Sequence, residues 1–137
     1  MKEKPVLATI LRAGLPLHQG LLNYFDSSDN AFISAYRKHK KGGDFEIKIE
    51  YMASPDLAGK TLILCDPMLA SGSSMILAMK AILTRGTPKH IHIVSVRFCA
   101  TKFPHYAERP WCRKSHISFS HPDNNPSPCL PFYLPYR

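Results

Sequence analysis

The segment KTLILCD at residues 60–66 limits the possible folds of this chain more than any other, because its centre is an uncharged, mostly apolar run. A strand with one face in water alternates apolar and polar residues, whereas a strand of a parallel sheet is covered on both faces and does not alternate. The segment therefore predicts an inner strand of a parallel sheet. Asp66 ends that strand, and a turn of small residues at 70–74, ASGSS, follows before the next helical pattern.

Strand and helix patterns alternate along the first part of the chain. Residues 45–53 alternate apolar and polar side chains as a half-exposed antiparallel strand does, and Gly42-Gly43 before them is typical of a hairpin turn. The order of elements predicts an α/β fold with a parallel-centred sheet, flanking helices and an antiparallel insertion. The predicted strands are 6–12, 31–38, 45–53, 60–66 and 90–96, and the predicted helices are 13–25 and 73–85.

Charge and composition restrict the function classes. The chain has 137 residues and a net charge of +8, from 18 Lys and Arg against 10 Asp and Glu, which favours an anionic ligand. No apolar run reaches the roughly 18 residues that suggest a membrane span, and the N-terminus lacks the apolar stretch of a secretory signal. The four cysteines form no CxxC pair, which fits a reducing compartment. These features predict a cytoplasmic protein without a membrane partner.

Two loops at predicted strand ends carry groups suited to a phosphorylated sugar. In Arg12-Ala13-Gly14, the arginine can bind phosphate oxygens in a bidentate fork, and the glycine permits a turn that directs N–H groups toward an anion. From Asp66 to Ser74, a helix N-terminus offers N–H groups to a phosphate, and the Asp66 carboxylate offers acceptors to sugar hydroxyls. Arg37, at another strand end, adds positive charge. From these residues alone, an ordinary helix with a serine cap and Asp66 in a turn explains the second loop equally well, and a solvent-facing arginine before a helix explains the first loop better.

Three segments carry a family resemblance: ILRAGLPLHQGLLNYF at 10–25, AYRKHKKGG at 35–43 and GKTLILCDPMLASGSS at 59–74. They closely resemble the uracil phosphoribosyltransferases, and the likeness runs through residues 5–96. The resemblance implies a type I phosphoribosyltransferase-like fold, incomplete at its C-terminal end. It also implies transfer of ribose 5-phosphate from phosphoribosyl pyrophosphate to N1 of uracil, giving UMP and pyrophosphate, with Mg²⁺ bound together with the phosphoribosyl pyrophosphate.

The resemblance further implies roles for individual residues. Arg12 is similar to the pyrophosphate-binding arginine of the LRAG loop, and Arg37 to a second phosphate-contacting arginine. Asp66 resembles the carboxylate that holds the ribose hydroxyls, so Arg12 and Asp66 are the predicted catalytic residues. No protein-only metal site is expected. The predicted phosphoribosyl pyrophosphate site comprises Arg12, Arg37, Asp66, Pro67, Met68, Leu69, Ala70, Ser71, Gly72, Ser73 and Ser74.

The chain changes character near residue 97. All 7 glycines precede this point, whereas most of the 12 prolines follow it. The sequence therefore predicts a phosphoribosyltransferase core at 1–97 and a Pro-rich tail at 98–137 that is irregular or disordered and unrelated to the family. The family's glycine-rich uracil-reading segment has no counterpart in this tail, so no uracil-binding residue is assigned. We expect weak or absent transfer, and the alternative is a non-catalytic phosphoribosyl-pyrophosphate-binding or regulatory module.

Other interpretations explain less of the sequence. The basic cluster YRKHKK at 36–41 is not part of a recognised nucleic-acid-binding module, so no nucleic-acid partner is expected. The tail residues Cys99, His105, Cys112 and His116 have a spacing unlike any common zinc finger, so no zinc site is expected. The resemblance implies a homo-oligomer in the intact family, with phosphoribosyl pyrophosphate and uracil as substrates.

Overall fold

A six-stranded sheet forms the centre of the protein in a computed structural model that describes residues 4–43, 45–69, 72–98 and 115–119. The strands are β1 Val6–Leu11, β2 Asp29–His39, β3 Phe45–Ala53, β4 Thr61–Cys65, β5 Met68–Leu69, β6 His90–Ser95, β7 Arg97–Phe98 and β8 Ser115–Phe119. The helices are α1 Leu15–Leu22 and α2 Ser73–Ile82, which a 3-10 helix at Leu83–Arg85 extends. The sheet order is β3-β2-β1-β4-β6-β8, and β5 pairs with β7 in a separate two-stranded sheet.

The inner position of β4 confirms the prediction made from the apolar run. This strand pairs in parallel with β1 on one side and with β6 on the other, and every residue from Leu62 to Cys65 is buried. The strand β2 runs parallel to β1 but antiparallel to β3, with a β-bulge at Ser34/Ala35. The parallel-centred sheet with an antiparallel insertion is therefore confirmed.

The two helices cover opposite faces of the sheet. Neighbouring residues of a strand point to opposite faces. In β2, Ile33 belongs to the core cluster that includes Met79 of α2, whereas the ring of Phe32 lies 5.2 Å from the ring of His18 in α1. Burial of a side chain such as Met79 contributes roughly 1.5–3 kcal/mol. The core cluster consists of Val6, Ala8, Ile10, Ala31, Ile33, Leu57, Leu62, Leu64, Leu69, Met75, Ala78, Met79, Ile82, Ile91 and Ile93.

The end of α2 is hydrogen-bonded to a loop at the amino-terminal ends of the parallel strands, which we call the amino edge of the sheet. The 3-10 helix stops at Gly86, where φ is +126°, and a Cβ at this position would lie 2.6 Å from Asp56 Oδ1. The Leu57 amide donates a 3.0 Å hydrogen bond to the Arg85 carbonyl oxygen. These contacts hold the loop before β4 against the loop before β6. Within the described residues, no helix is long and apolar enough to cross a membrane.

The strand β8 differs from the expectation for the tail. Residues 115–119 fall in the segment predicted to be irregular, and they instead pair in parallel with β6. An uncovered edge strand leaves backbone N–H and C=O groups unpaired, and the pairing with β8 satisfies those of β6. The other residues of the predicted tail, apart from Phe98, lie outside the described residues. The domain boundary at residue 97 therefore stays a prediction.

Candidate functional site

Parallel pairing of β1 with β4 places two of the predicted site loops side by side. Thr9 is the cross-strand partner of Cys65, so both strands end at the same edge of the sheet. We call residues 12–14 the Arg12 loop and residues 66–72 the Asp66 loop. Carboxyl ends of parallel strands are where α/β proteins generally bind their ligands. The sheet thus brings together two groups of residues that are far apart in sequence.

The Arg12 loop is a tight connection between β1 and α1. Its backbone is held by hydrogen bonds from the Gly14 amide to the Ile10 carbonyl oxygen, 3.0 Å, and from the Leu15 amide to the Arg12 carbonyl oxygen, 3.2 Å. The Leu11–Arg12 peptide bond is cis. The Arg12 side chain is exposed, which leaves the guanidinium accessible to an anion. The loop therefore combines a fixed backbone with an accessible cation.

The role predicted for Gly14 is corrected by the structure. Its φ of −72° and ψ of −15° are ordinary helical values, so the turn does not require the left-handed region. Its amide donates inward to Ile10 and does not point toward a ligand. Glycine is required here by close approach, because a Cβ would overlap Thr9 Oγ1 and lie 2.7 Å from the Ile10 carbonyl oxygen. Packing, and not backbone freedom, explains this glycine.

Asp66 is held at the end of β4 by the backbone on both sides. Its amide donates to the Val94 carbonyl oxygen, 3.1 Å, and its Oδ1 accepts a hydrogen bond from the Met68 amide, 3.2 Å. Burial raises the pKa of the Asp66 carboxyl, and the hydrogen bond from Met68 opposes that rise. Asp66 as a whole is half-buried. A fixed carboxylate of this kind can accept hydrogen bonds from ligand hydroxyls.

The Asp66 loop enters α2 through Gly72. This residue is the N-cap, with φ of +77°, a left-handed conformation that glycine adopts without the clash of a Cβ. Its carbonyl oxygen accepts the first helical hydrogen bond, from the Ile76 amide, 2.9 Å. Ser73 and Ser74 are the first two residues of the helix, at the end toward which a helix directs its first backbone N–H groups. The ordinary capped-helix interpretation places a serine at the cap and Asp66 in a turn. The structure has Gly72 at the cap instead of a serine, while the turn at Asp66 agrees with that interpretation.

The other residues of the Asp66 loop have different environments. Pro67 is half-buried, Met68 is 56% exposed, and Leu69 is buried in the core cluster. Leu69 therefore anchors the loop to the sheet, while Met68 faces solvent. Ala70 and Ser71 lie outside the described residues, and their predicted contacts stay predictions.

The backbone of Arg37 also lies at the carboxyl-terminal end of the parallel strands, because β2 extends beyond the end of β1. Leu11, the last residue of β1, pairs with Ser34, and the remainder of β2 pairs only with β3. Arg37 lies in that extension, opposite Ile47. Its backbone is thus beyond the end of β1, on the side of the sheet edge where the Arg12 loop lies. Its predicted phosphate contact stays a prediction.

A second support for the Asp66 loop has no recognisable signal in the sequence. Met68 and Leu69 pair in parallel with Arg97 and Phe98, the residues that follow β6. These short strands lack the length and alternation by which a strand is recognised in sequence. The pairing ties the loop to the chain beyond Ser95.

Two buried titratable groups lie close to the loops. Burial raises the pKa of the Cys65 thiol, and the neighbouring Thr9 hydroxyl opposes the rise to a smaller extent. His18, in α1, is buried and its Nε2 lies 2.9 Å from Asn30 Oδ1. Burial lowers the pKa of His18, and the Asn30 contact opposes that change. Both side chains are buried, and the contact of His18 with Asn30 joins α1 to β2. Within the described residues, no group of three or more His, Cys, Asp or Glu could hold a metal ion.

Sequence comparison identifies relatives of the chain. The family model described as uracil phosphoribosyltransferase matches residues 1–109, beyond the segments that carry the resemblance. A uracil phosphoribosyltransferase of Porphyromonas gingivalis is 66% identical over 95 residues, which cover 69% of this chain and 44% of the relative. One from Natronomonas pharaonis is 36% identical over 95 residues, 66% of this chain and 43% of the relative. The chain thus spans less than half the length of these relatives.

Solved structures share the fold. The AQ2163 protein of Aquifex aeolicus matches 88% of this chain and 55% of its own, with a TM-score of 0.76 and 27% identity. A purine phosphoribosyltransferase from Pyrococcus horikoshii matches 90% of this chain and 83% of its own, with a TM-score of 0.59 and 19% identity. The second likeness, at its low identity, concerns the fold alone. Together with the sheet order, these matches confirm the expected fold class.

Proposed function

This chain belongs to the uracil phosphoribosyltransferase family, and we propose that it binds phosphoribosyl pyrophosphate at the carboxyl edge of its sheet. The reaction proposed is transfer of ribose 5-phosphate to N1 of uracil, with UMP and pyrophosphate as products. The observation that carries the proposal is the parallel pairing of β1 with β4, which brings the Arg12 loop beside the Asp66 loop. One loop supplies a cation, and the other supplies a carboxylate and a helix N-terminus.

The 5-phosphate is assigned to the N-terminus of α2. Backbone N–H groups and the positive end of the helix dipole favour an anion there. Gly72 supports this assignment, because it caps α2 in a left-handed conformation and places no side chain at the helix N-terminus. Ser73 and Ser74 are exposed and half-buried, respectively, and carry hydroxyl donors at the same helix end. Ala70 and Ser71 complete the proposed phosphate site by resemblance.

The ribose and the pyrophosphate are assigned to the remaining groups. The Asp66 carboxylate is held in place by the Met68 amide and is proposed to accept hydrogen bonds from the ribose hydroxyls. Arg12 and Arg37 are proposed to bind the pyrophosphate. Loss of pyrophosphate leaves positive charge on the ribose and negative charge on the leaving group. Preorganised charges at those positions lower the barrier, so Arg12 and Asp66 are the proposed catalytic residues.

Magnesium is the cation proposed to accompany the pyrophosphate. Mg²⁺ retains several waters and is commonly held by substrate phosphates with one or two carboxylates. The half-buried Asp66 carboxylate at the edge of the sheet fits that donor set. Bound there, the ion would neutralise charge on the leaving pyrophosphate. No dedicated metal cage in the protein is needed for this role.

Ligand binding and transfer are separate parts of the proposal. The resemblance assigns no residue of this chain to uracil, and positioning of two reactants contributes several kcal/mol to a rate. We therefore propose that the 137-residue chain binds phosphoribosyl pyrophosphate and transfers ribose 5-phosphate to uracil slowly. The alternative, a non-catalytic binding or regulatory module, shares the first step only. The cytoplasmic location and the homo-oligomer stay predictions.

Calorimetric titration and a product assay test the proposal together. We expect phosphoribosyl pyrophosphate with Mg²⁺ to bind the chain, and Arg12→Gln to weaken binding by about 10-fold or more, since hydrogen bonds to charged groups contribute about 1.5–3 kcal/mol. Arg85→Gln is the matched control, because Arg85 is exposed at the opposite edge of the sheet. Binding without UMP formation from radiolabelled uracil would favour the regulatory alternative. Absence of binding would reject both.

A further inference from the structure

Thr9 is a buried polar residue at the place where the two loops meet. It lies near the end of β1 and is fully buried. Its hydroxyl has no partner of ordinary hydrogen-bond geometry among the described residues. A buried hydroxyl without a full hydrogen bond is costly, so its presence here is explained by something other than hydrogen bonding.

The first contact is with the Arg12 loop. Thr9 Oγ1 occupies the space that a side chain at position 14 would take, because a Cβ built on Gly14 overlaps it. Carbon atoms in contact need about 3.5–4.0 Å, and an oxygen atom needs less. A methyl group in place of the hydroxyl would therefore press on Gly14 and displace the Arg12 loop. The small size of the oxygen sets how closely this loop can approach β1.

The second contact is with the Asp66 loop. Thr9 is the cross-strand partner of Cys65, and side chains of directly paired residues share one face of the sheet. The Thr9 hydroxyl is near enough to the Cys65 thiol to affect its ionisation. Cys65 is followed directly by Asp66, whose amide is bonded to the Val94 carbonyl oxygen. One side chain thus lies against the base of both loops.

We propose that Thr9 is a positioning residue that sets the distance between the Arg12 loop and the Asp66 loop, and thereby the affinity for phosphoribosyl pyrophosphate. The inference rests on the proposed function for its ligand. Thr9 is covered by the Gly14 backbone and does not touch the ligand. It acts through Gly14 on the guanidinium of Arg12 and through Cys65 on the carboxylate of Asp66.

Three variants of the full chain test this role. Thr9→Val replaces the hydroxyl by a methyl group, and Thr9→Ser retains the hydroxyl. Thr61→Val is the matched control, because Thr61 begins the neighbouring strand β4 at the opposite edge of the sheet. We expect Thr9→Val to weaken the binding of phosphoribosyl pyrophosphate with Mg²⁺ by about tenfold, since displacement of a binding group by about 1 Å can cost up to a hundredfold. Thr9→Ser and Thr61→Val are expected to remain within about twofold of the parent chain by the same argument.

Amide hydrogen exchange gives a second measurement that needs no ligand. The Gly14 and Asp66 amides report on the two loops, since each donates a backbone hydrogen bond, of 3.0 Å and 3.1 Å respectively. In Thr9→Val we expect both to exchange at least about threefold faster, because local opening controls exchange. The Leu57 amide, bonded to Arg85 at the opposite edge, is expected to be unchanged. Thr9→Ser should restore slow exchange at both loops.

The outcomes separate the positioning role from the proposed ligand. If the parent chain binds the ligand and Thr9→Val binds it equally well, the positioning role is wrong. Equal loss of affinity in Thr9→Val, Thr9→Ser and Thr61→Val would also overturn it, because a general loss of stability would then be the cause. If the parent chain does not bind the ligand, the proposed function fails, and unchanged exchange at Gly14 and Asp66 would reject the role of Thr9 as well.

Discussion

The buried Asp66 carboxylate lowers the stability of the folded chain at neutral pH, although it is proposed to bind the ribose hydroxyls. Its carboxyl has a raised pKa because burial disfavours the charged form. The folded state therefore holds the proton more tightly than the unfolded state does. Stability contributed by this group falls as the pH rises from the unfolded value of about 3.8 through the higher folded pKa. At neutral pH the ionised side chain therefore opposes folding. Its proposed role as an acceptor for ribose hydroxyls would account for its presence at this position.

We expect Asp66→Asn to raise the melting temperature at pH 7 and to weaken the binding of phosphoribosyl pyrophosphate. The amide removes the buried charge but keeps an oxygen that can accept the hydrogen bond from the Met68 amide. Loss of a charged acceptor costs about 1.5–3 kcal/mol, roughly 10- to 150-fold in affinity. Differential scanning fluorimetry and calorimetric titration measure the two effects. A variant that is less stable at pH 7 and binds normally would contradict both assignments.

His18 predicts a loss of stability in weak acid. Burial lowers its pKa in the folded state, so the unfolded state binds the proton first as the pH falls. Stability should therefore decrease as the pH falls through the unfolded value, about 6.5, toward the lower folded pKa. His18→Gln keeps a side-chain donor for Asn30 Oδ1 and removes the titration. Melting temperatures between pH 8 and pH 5 should fall less in this variant than in the parent chain, and parallel curves would refute the assignment.

The α2 helix begins at an N-cap, Gly72, whose left-handed backbone conformation favours glycine. A residue other than glycine at φ +77° pays roughly 1–2 kcal/mol for the left-handed conformation, and β-branching adds to that. We expect Gly72→Val to lower stability by at least this amount and to abolish binding of ribose 5-phosphate, because the side chain blocks approach to the helix N-terminus. Urea unfolding and calorimetric titration test the two parts. Unchanged affinity of Gly72→Val for ribose 5-phosphate would show that the phosphate does not bind at the N-terminus of α2.

Gly20 is the matched control for that experiment. It lies inside α1, and a Cβ at this position meets nothing within 4 Å. Alanine is favoured over glycine inside a helix by about 0.5–1 kcal/mol. Gly20→Ala should therefore raise the free energy of unfolding by that amount and leave ligand binding unchanged. If Gly72→Val lowers the free energy of unfolding and Gly20→Ala raises it, the loss in Gly72→Val arises from the backbone conformation at the helix terminus and not from helix propensity.

The charge of the whole molecule should affect ligand association at a distance. The net charge is +8, and the β2–β3 hairpin carries exposed Lys38 and Lys48 beyond the end of β1. We expect Lys38→Gln with Lys48→Gln to weaken phosphoribosyl pyrophosphate binding two- to threefold at low ionic strength, and the effect to vanish at about 1 M salt, where charges are screened beyond about 3 Å. Lys89→Gln, at the amino edge of the sheet, should have no effect. A salt-independent loss would indicate direct contact instead of a long-range field.

Much of the fold could be predicted because the local sequence agrees with it. The apolar run at 62–65 is typical of a strand buried on both faces inside a parallel sheet, and the alternation in 45–53 is typical of a strand with one exposed face. Helical spacing with a glycine at 86 predicts the extent of α2. The residues of the two loops could likewise be selected, because strand ends are where a parallel sheet exposes polar backbone and side chains.

Other features depend on contacts between distant residues and have no local pattern. Gly14 appears in sequence as a flexible turn residue, yet Thr9 is what excludes a side chain there. The pairing of Met68 with Arg97, and of β6 with β8, joins segments too short or too irregular to be recognised alone. Strand order also decides that the Arg12 loop and the Asp66 loop follow adjacent strands at the same end of the sheet. Hydrophobic periodicity records which face of an element is buried, whereas cross-strand pairing and close packing arise only when the elements meet, which is why the tertiary structure was needed to assemble the site.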